Sequence, residues 1–356
     1  MKYILATDSF KGSLSSMEVE AEIAEVLTEK GADVVSLPMS DGGDGMLEAF
    51  TKALGGTIEP VYVHNQMMRR VDAAFGMTAD GTAIVEVAQA CGLELVKEDE
   101  RNPMRATTYG VGELLSRAVK RGCRNFIIGL GGSGTSDAGI GMLRALVDIF
   151  AKGKTFDDAM QTELGECRFT LACDVDNPLC GENGAACVYA PQKGATSQMV
   201  EQLDRRAKLF AEKSALHYGY DRSCCPGAGA AGGLGYAFMQ YLGAEMRSGA
   251  DMLLSLCRFD EVAKDADMII TGEGHADRQT LMGKLPQRIL MRGKQLGVPV
   301  GLVTGRVEDR EELLSAGFSF VESITPEGMP LEEAIKKEVA FSNIRRFATS
   351  LNYEKT

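Results

Sequence analysis

Several kinds of residue and pattern are scarce in this chain, and each shortage narrows what it can be. Histidine occurs three times, as His64, His217 and His275, and no C-x-x-C pair exists among nine cysteines. A zinc site wants tighter Cys/His pairs than Cys173, Cys180 and Cys187 at intervals of seven, or the adjacent Cys224-Cys225. Scattered thiols in a reducing compartment fit that cysteine usage. No apolar run approaches the roughly 18 residues of a membrane span. The run from Met1 to Ala6 meets Asp8 too soon for a signal-peptide core, so a cytoplasmic protein is expected. A complete Walker A loop is missing: Gly153-Lys154-Thr155 has the right ending, but position 148 is Asp rather than Gly. Positive charge is also in deficit. With 38 Lys and Arg against 50 Asp and Glu the formal charge is −12, which excludes nucleic acid as the main partner. It leaves room for a small phosphorylated ligand held by a local cluster of amides and cations.

What is present describes a globular α/β protein. The chain has 356 residues, 45% hydrophobic and 25% charged, enough for two domains with real cores. Tryptophan is absent, but glycine reaches 41 residues without low complexity, which implies many tight turns or backbone held close to a ligand. Tyr3 to Ala6 is a short continuous apolar run, as in a strand buried on both faces. Ser15-Ser16-Met17-Glu18 has capping-box spacing, and Val19, Ile23, Val26 and Leu27 follow at helical intervals. Val34 to Leu37 is the next strand, with a helix over Leu47, Phe50 and Leu54 after it. The same grammar returns with strands at Met268 to Ile270, Val298 to Val303 and Phe318 to Val321. Between these ends the apolar residues alternate from Pro60 to Val87, as in half-buried antiparallel strands. The expectation is a doubly wound parallel-sheet domain of flavodoxin or Rossmann type, with a second, different α/β domain inserted. Residues 1–58 plus 262–356 form the first domain and 59–261 the second, with the active site in the cleft between them.

The pattern G-x-G-x-x-G occurs at Gly129/Gly131/Gly134 and at Gly227/Gly229/Gly232, where chance alone gives roughly half a match. Asp148 stands near the ribose-binding interval from the first copy, but within the following helix rather than at a second strand's end. An NAD(P)-dependent oxidoreductase is therefore the weaker alternative. More telling is a recurrent constellation of Gly with acids and hydroxyls at strand ends. It appears at Asp8 to Ser13, Ser40 to Gly45, Gly131 to Gly139 and Thr271 to Asp277. Such loops gather at the carboxyl edge of parallel sheets, where ligands bind. Amides and hydroxyls suit phosphate oxygens, carboxylates suit Mg²⁺, and lysine neutralises developing charge.

These loops resemble those of the bacterial type 1 glycerate kinase family. The resemblance is carried by ATDSFKGSLSS (6–16), PMSDGGDG (38–45), TTYGVGELL (107–115), GLGGSGTSDAGIGML (129–143) and ACDVDNPLCG (172–181). It continues in APQKGAT (190–196), PGAGAAGGLG (226–235), GADMLL (249–254) and TGEGHADRQTLMGKLP (271–286). It implies transfer of the γ-phosphate of ATP, with Mg²⁺, to D-glycerate in hydroxy-acid catabolism. The implied product is 2-phosphoglycerate, with 3-phosphoglycerate the alternative. A non-catalytic metabolite-binding relative is the other reading, and the oligomeric state stays open, a homodimer included. The chain departs from the family pattern at Asp44, where Glu is usual, at Gly134 and Ser136, and at His275-Ala276, where Arg-Ile is usual.

Within that frame Lys11 and Lys284 are the candidates for contacting phosphate, with Lys193 a weaker third. Asp8, Asp137 and Asp277 compete as general base. Asp41, Asp44, Asp174 and Glu273 are candidates for Mg²⁺, which takes only one or two carboxylates directly. Gly131, Gly132, Ser133 and Thr135, with Gly229, Gly232 and Gly233, are expected to bring amides and hydroxyls to the nucleotide phosphates, close helix-strand packing being the competing role for the glycines. Ser9, Ser13, Arg278 and Thr280 are the substrate-binding candidates. Arg278 is preferred over Arg69, Arg70 and Arg105 as the fork for a carboxylate.

Overall fold

The computed structural model describes residues 1–40, 42, 43 and 45–351. Its strands in chain order are β1 (Lys2–Thr7), β2 (Asp33–Ser36), β3 (Thr57–His64), β4 (Arg70–Met77), β5 (Thr82–Glu86) and β6 (Asn125–Gly129), followed by β7 (Arg168–Ala172), β8 (Glu245–Arg247), β9 (Met268–Ala276), β10 (Val300–Val307) and β11 (Phe320–Ser323). The chain divides into two compact units, Met1–Ala49 with the segment from Ala250 onward, and Phe50–Gly249.

The first unit holds a five-stranded sheet in the order β11-β10-β9-β1-β2, parallel throughout. Counted by appearance within the unit, that order is 2-1-3-4-5, the flavodoxin-like doubly wound arrangement. The apolar run of β1 is buried from Tyr3 to Ala6, as a central parallel strand requires. The helix Ser16–Glu29 begins where the sequence places it. Ser15 Oγ accepts from Glu18 N at 3.2 Å, and Glu18 Oε2 accepts from Ser15 N at 2.8 Å. Its Val19, Ile23, Val26 and Leu27 pack with Leu5, Ile270, Val303 and Ile344 in one core.

β9 and β10 are longer than the apolar pattern indicates. Both continue through polar, Gly-rich sequence, in register from Val300↔Ile269 to Val307↔Ala276. Glycine permits this pairing: a Cβ at Gly305 would lie 2.5 Å from Gly274 O, and one at Gly272 would lie 2.4 Å from Val303 O. The segment Thr271 to Ala276, which reads as loop, is therefore strand, and its side chains have fixed directions.

The second unit holds six strands in the order β3-β4-β5-β6-β7-β8. β3, β4 and β5 pair antiparallel, in accord with their alternation, and β5 to β8 pair parallel. The helices Tyr109–Lys120, Ile140–Phe150 and Ala230–Tyr241 supply Leu114, Leu146 and Phe238 to a core that also contains Phe75, Val85, Ile128 and Leu171. Phe126 and Phe169 stack at 4.9 Å across β6 and β7. The carboxyl ends of β5 to β8 share one edge, where the loop after β6 emerges.

Candidate active site

In the first unit the chain winds one way from β1 to β2 and the other way from β9 to β11, so the loops after β1 and β9 flank the topological switch point. Asp8 follows β1; its N–H donates to Gly272 O at 2.8 Å, and its Oδ1 accepts from Ser9 N at 2.7 Å. The next residues form a tight loop closed by the Phe10↔Leu14 bridge. Gly12 turns at φ +75°, and Lys11 and Gly12 stand exposed at the tip. Ser13 Oγ is buried and has no hydrogen-bond partner. Gly274 lies against this loop, for a Cβ there would be 3.0 Å from Lys11 N.

Glu273 is nearly buried. It accepts from Thr280 Oγ1 at 2.6 Å and lies 3.6 Å from Lys284 Nζ. Burial pushes its carboxyl up, against the pull of Thr280 and Lys284, and Asp277 adds to the upward push. Asp277 caps the short turn Arg278–Leu281, accepting from Gln279 N at 2.7 Å. Lys284 precedes the helix Leu285–Leu296. Behind β1 the fully buried Glu20 accepts from Thr7 N at 2.9 Å, a strut that the helical pattern of Ser16–Glu29 conceals.

In the second unit the loop after β6 is pinned on three sides. Gly134 N donates to Cys91 O at 2.6 Å, Leu93 N to Gly132 O at 2.8 Å, and Ala138 N to Gly232 O at 3.0 Å. Lys193 lies beneath it. Only 3% exposed, it donates from Nζ to Ser133 Oγ at 3.0 Å and to Thr135 O at 2.7 Å. Desolvation lowers this ammonium from its usual 10.5 to about 8, against the opposing pull of Cys91 and Asp137. Burial pushes the Cys91 thiol up to about 12.

Several sequence expectations change here. Asp137 is a cap: its Oδ2 accepts from Thr108 N at 2.9 Å, Thr108 Oγ1 at 3.0 Å and Gly141 N at 3.0 Å, and its Oδ1 from Gly139 N at 3.1 Å. With those lone pairs engaged at the start of the helix Ile140–Phe150, it is poorly placed to take a proton from a substrate. Arg278 turns to Glu312 and Asp309 on its own unit, so its fork is already committed to carboxylates. Gly229, Gly232 and Gly233 make room for neighbouring chain, the packing role. A Cβ at these positions would meet Pro178 O at 2.3 Å, Thr135 O at 2.0 Å and Ala138 Cα at 2.7 Å. Asp148 lies in a helix, where it accepts from Tyr109 Oη at 3.2 Å and faces Arg144, so it completes no dinucleotide fingerprint.

Asp174 is exposed after β7. Asp41 and Asp44 lie outside the described residues. The switch point thus collects Asp8, Ser9, Lys11, Ser13, Glu273, Asp277, Thr280 and Lys284, while Ser133 and Thr135 meet Lys193 in the other unit. Two buried polar side chains lie against the loop after β6: Lys193, the weaker lysine candidate of the sequence, and Gln66, a 3% exposed amide that no sequence pattern singles out. The glycine that follows Lys193 in Pro191-Gln192-Lys193-Gly194 was the available signal.

Comparison with known proteins agrees with this architecture. The model of the Glycerate kinase family matches residues 3–352. A glycerate kinase of Bacillus subtilis (strain 168) is 37% identical, covering 100% of this chain and 99% of that protein. A glycerate 2-kinase of Escherichia coli (strain K12) is also 37% identical, covering 99% of this chain and 97% of that protein. A crystal structure assigned to glycerate kinase 2 from Salmonella typhimurium LT2 superposes with a TM-score of 0.78 at 36% identity, covering 98% of this chain and 96% of that one. Matched by the family model and by these relatives almost from end to end, the chain belongs to the glycerate kinase family.

Proposed function

We propose that this protein transfers the γ-phosphoryl group of ATP to a hydroxyl of D-glycerate, giving ADP and 2-phosphoglycerate. The family supports the reaction class. The observation that carries the reading in this chain is the switch point of the 2-1-3-4-5 sheet, where Lys11 stands exposed on a tight loop beside the buried, unpartnered Ser13 Oγ and the Glu273–Lys284 pair. Phosphoryl transfer asks a protein mainly for positioning and charge, and these groups offer both.

Lys11, Lys284, Ser9 and Ser13 would then hold phosphate oxygens, in place of the substrate role the sequence suggested for the two serines. Thr280 serves instead to fix Glu273. Asp8 and Asp277 are left as general-base candidates; both accept a local amide, and Asp277 Oδ2 also faces His275 Nε2 at 3.9 Å. The donor set fits Mg²⁺, which takes one or two carboxylates and fills its remaining positions with phosphate and water. Glu273 at the switch point is the described carboxylate that would hold it, Asp174 belonging to the other unit. Bound there, the ion would supply neutralisation of the phosphate charge.

ADP release followed with Mg²⁺-ATP and D-glycerate, with phosphorus NMR of the product, tests this. Turnover that depends on D-glycerate and yields 2-phosphoglycerate is expected. A folded protein that binds ATP yet releases no ADP on adding D-glycerate would overturn the reading. Lys11→Ala should lower kcat/KM by roughly 100-fold or more, the scale of losing one donor to developing charge. Because Lys11 is exposed, the melting temperature should stay unchanged.

A further inference from the structure

We propose that Lys193 and Gln66 recognise the hydroxy acid itself, Lys193 taking the carboxylate and Gln66 Oε1 accepting from a hydroxyl. This rests on the function proposed above and assigns to the acceptor substrate a loop that the glycine pattern would give to nucleotide phosphates.

The starting point is unmet bonding capacity. An ammonium carries three N–H donors. Two of those on Lys193 go to neutral acceptors, Ser133 Oγ and Thr135 O, and no carboxylate lies within 4.0 Å among the described residues. A cation only 3% exposed and without an ion pair is costly, and an anion brought to the third donor offsets that cost. Asp137 and Cys91 face the same ammonium. The Asp137 carboxylate is occupied by four local donors, and the Cys91 thiol stays neutral, so neither fills that position.

Gln66 supplies the second observation. Its Nε2 donates to Gly92 O at 2.7 Å, which fixes the orientation of the amide, because a carbonyl can only accept. Its Oε1 is then a buried acceptor with no partner. The amide lies against the loop that covers Lys193, for a Cβ at Gly134 would be 3.1 Å from Nε2, and Gly134 sits between Ser133 and Thr135. A spare cationic donor and an orphan acceptor therefore flank one short segment, and the preceding Gly131 and Gly132 are partly exposed. Ionised phosphate oxygens offer acceptors only and would leave Gln66 unsatisfied. A 2-hydroxy acid offers a carboxylate to Lys193 and an O–H to Gln66. The arginine expected to bind that carboxylate, Arg278, is already paired with Glu312 and Asp309.

The test is calorimetric titration of wild type, Lys193→Met, Lys193→Arg and Gln66→Met with D-glycerate and, separately, with ATP. Lys193→Met should bind D-glycerate about 10- to 100-fold more weakly, the scale of a lost charge-assisted bond, with ATP affinity within about threefold of wild type. Lys193→Arg should recover most of that loss. At pH 8, wild type should take up protons on binding D-glycerate, seen as a dependence of the heat on buffer ionisation, and neither Lys193 variant should. Wild type should bind glycolate more tightly than acetate, and Gln66→Met should lose that preference.

Loss of ATP affinity instead of D-glycerate affinity in Lys193→Met, or loss of neither, overturns the assignment. If Lys193→Met does not fold, an unchanged glycolate-to-acetate ratio in Gln66→Met overturns it. Wild-type turnover of D-glycerate with unchanged binding in Lys193→Met sinks this inference alone. Wild type that ignores D-glycerate, but whose glycolate binding falls in Lys193→Met, sinks the kinase reading alone.

Discussion

An ammonium buried against one hydroxyl and one carbonyl must register in stability as well as in binding. The fall of Lys193 from 10.5 to about 8 corresponds to about 3 kcal/mol by which folding disfavours its charged form. The sign follows from proton counting. Between pH 8 and 10.5 the unfolded chain holds the Lys193 proton and the folded chain has lost it, so stability rises with pH across that window. Below pH 8 the penalty is present in full. Wild type should therefore gain about 1 kcal/mol relative to Lys193→Met between pH 7 and 9, measured from urea transitions of the unit that carries it. A difference that stays constant over that range would mean the ammonium is better solvated than its burial indicates. This residue also marks how far a sequence can be read. Pro191-Gln192-Lys193-Gly194 spells a surface turn, and what buries the lysine is a loop some 60 positions earlier in the chain. Asp137 shows the converse. Its loop position suits catalysis, and only the donors from Thr108, 29 residues away, disclose a cap.

At the scale of elements, the local signals held where one segment decides its own conformation. The Ser15/Glu18 capping box, the buried β1 run and the alternation in β3 and β4 were all legible. The extension of β9 and β10 was not, because it depends on two Gly-rich segments pairing with each other rather than on apolar pattern. Glycine makes the same distinction testable. Gly12 and Gly232 both have positive φ, at +75° and +66°, so both resist a side chain on backbone grounds. Nothing lies within 4 Å of a Cβ at Gly12, whereas at Gly232 it would meet Thr135 O at 2.0 Å. Gly12→Ala should cost about 1 kcal/mol, the price of a left-handed residue alone. Gly232→Ala should cost several times that, because the loop holding Thr135 has to move. It should also weaken D-glycerate binding, since Thr135 O is one of the two acceptors that position Lys193. Chemical denaturation and calorimetry of the pair would show it; equal costs would mean that the 131–139 loop yields freely.

For the whole molecule the relevant tension is between a formal charge of −12 and two anionic substrates. The summed field opposes both, so affinity has to come from cations placed locally against low-dielectric surroundings. The structure provides cations in two places, solvent-accessible in one and buried in the other. Lys11 and Lys284 stand at the switch point of one sheet, and Lys193 lies under the loop after β6 of the other. Each compact unit has its own core, and each sheet depends on contacts remote in sequence, such as β1 with β9, so each set of loops rests on separately stabilised scaffolding. Hydrogen exchange should then separate the two ligands. D-glycerate alone should slow exchange at residues 91–93, 131–139 and 190–196, and Mg²⁺-ATP alone at residues 8–14 and 272–284. Ligand binding raises local protection by mass action, so at 100 times Kd each set should gain up to about 2.7 kcal/mol. If both ligands protected the same segments, the separate assignment of the two loop sets would fail, and the anions would instead share one set of cations.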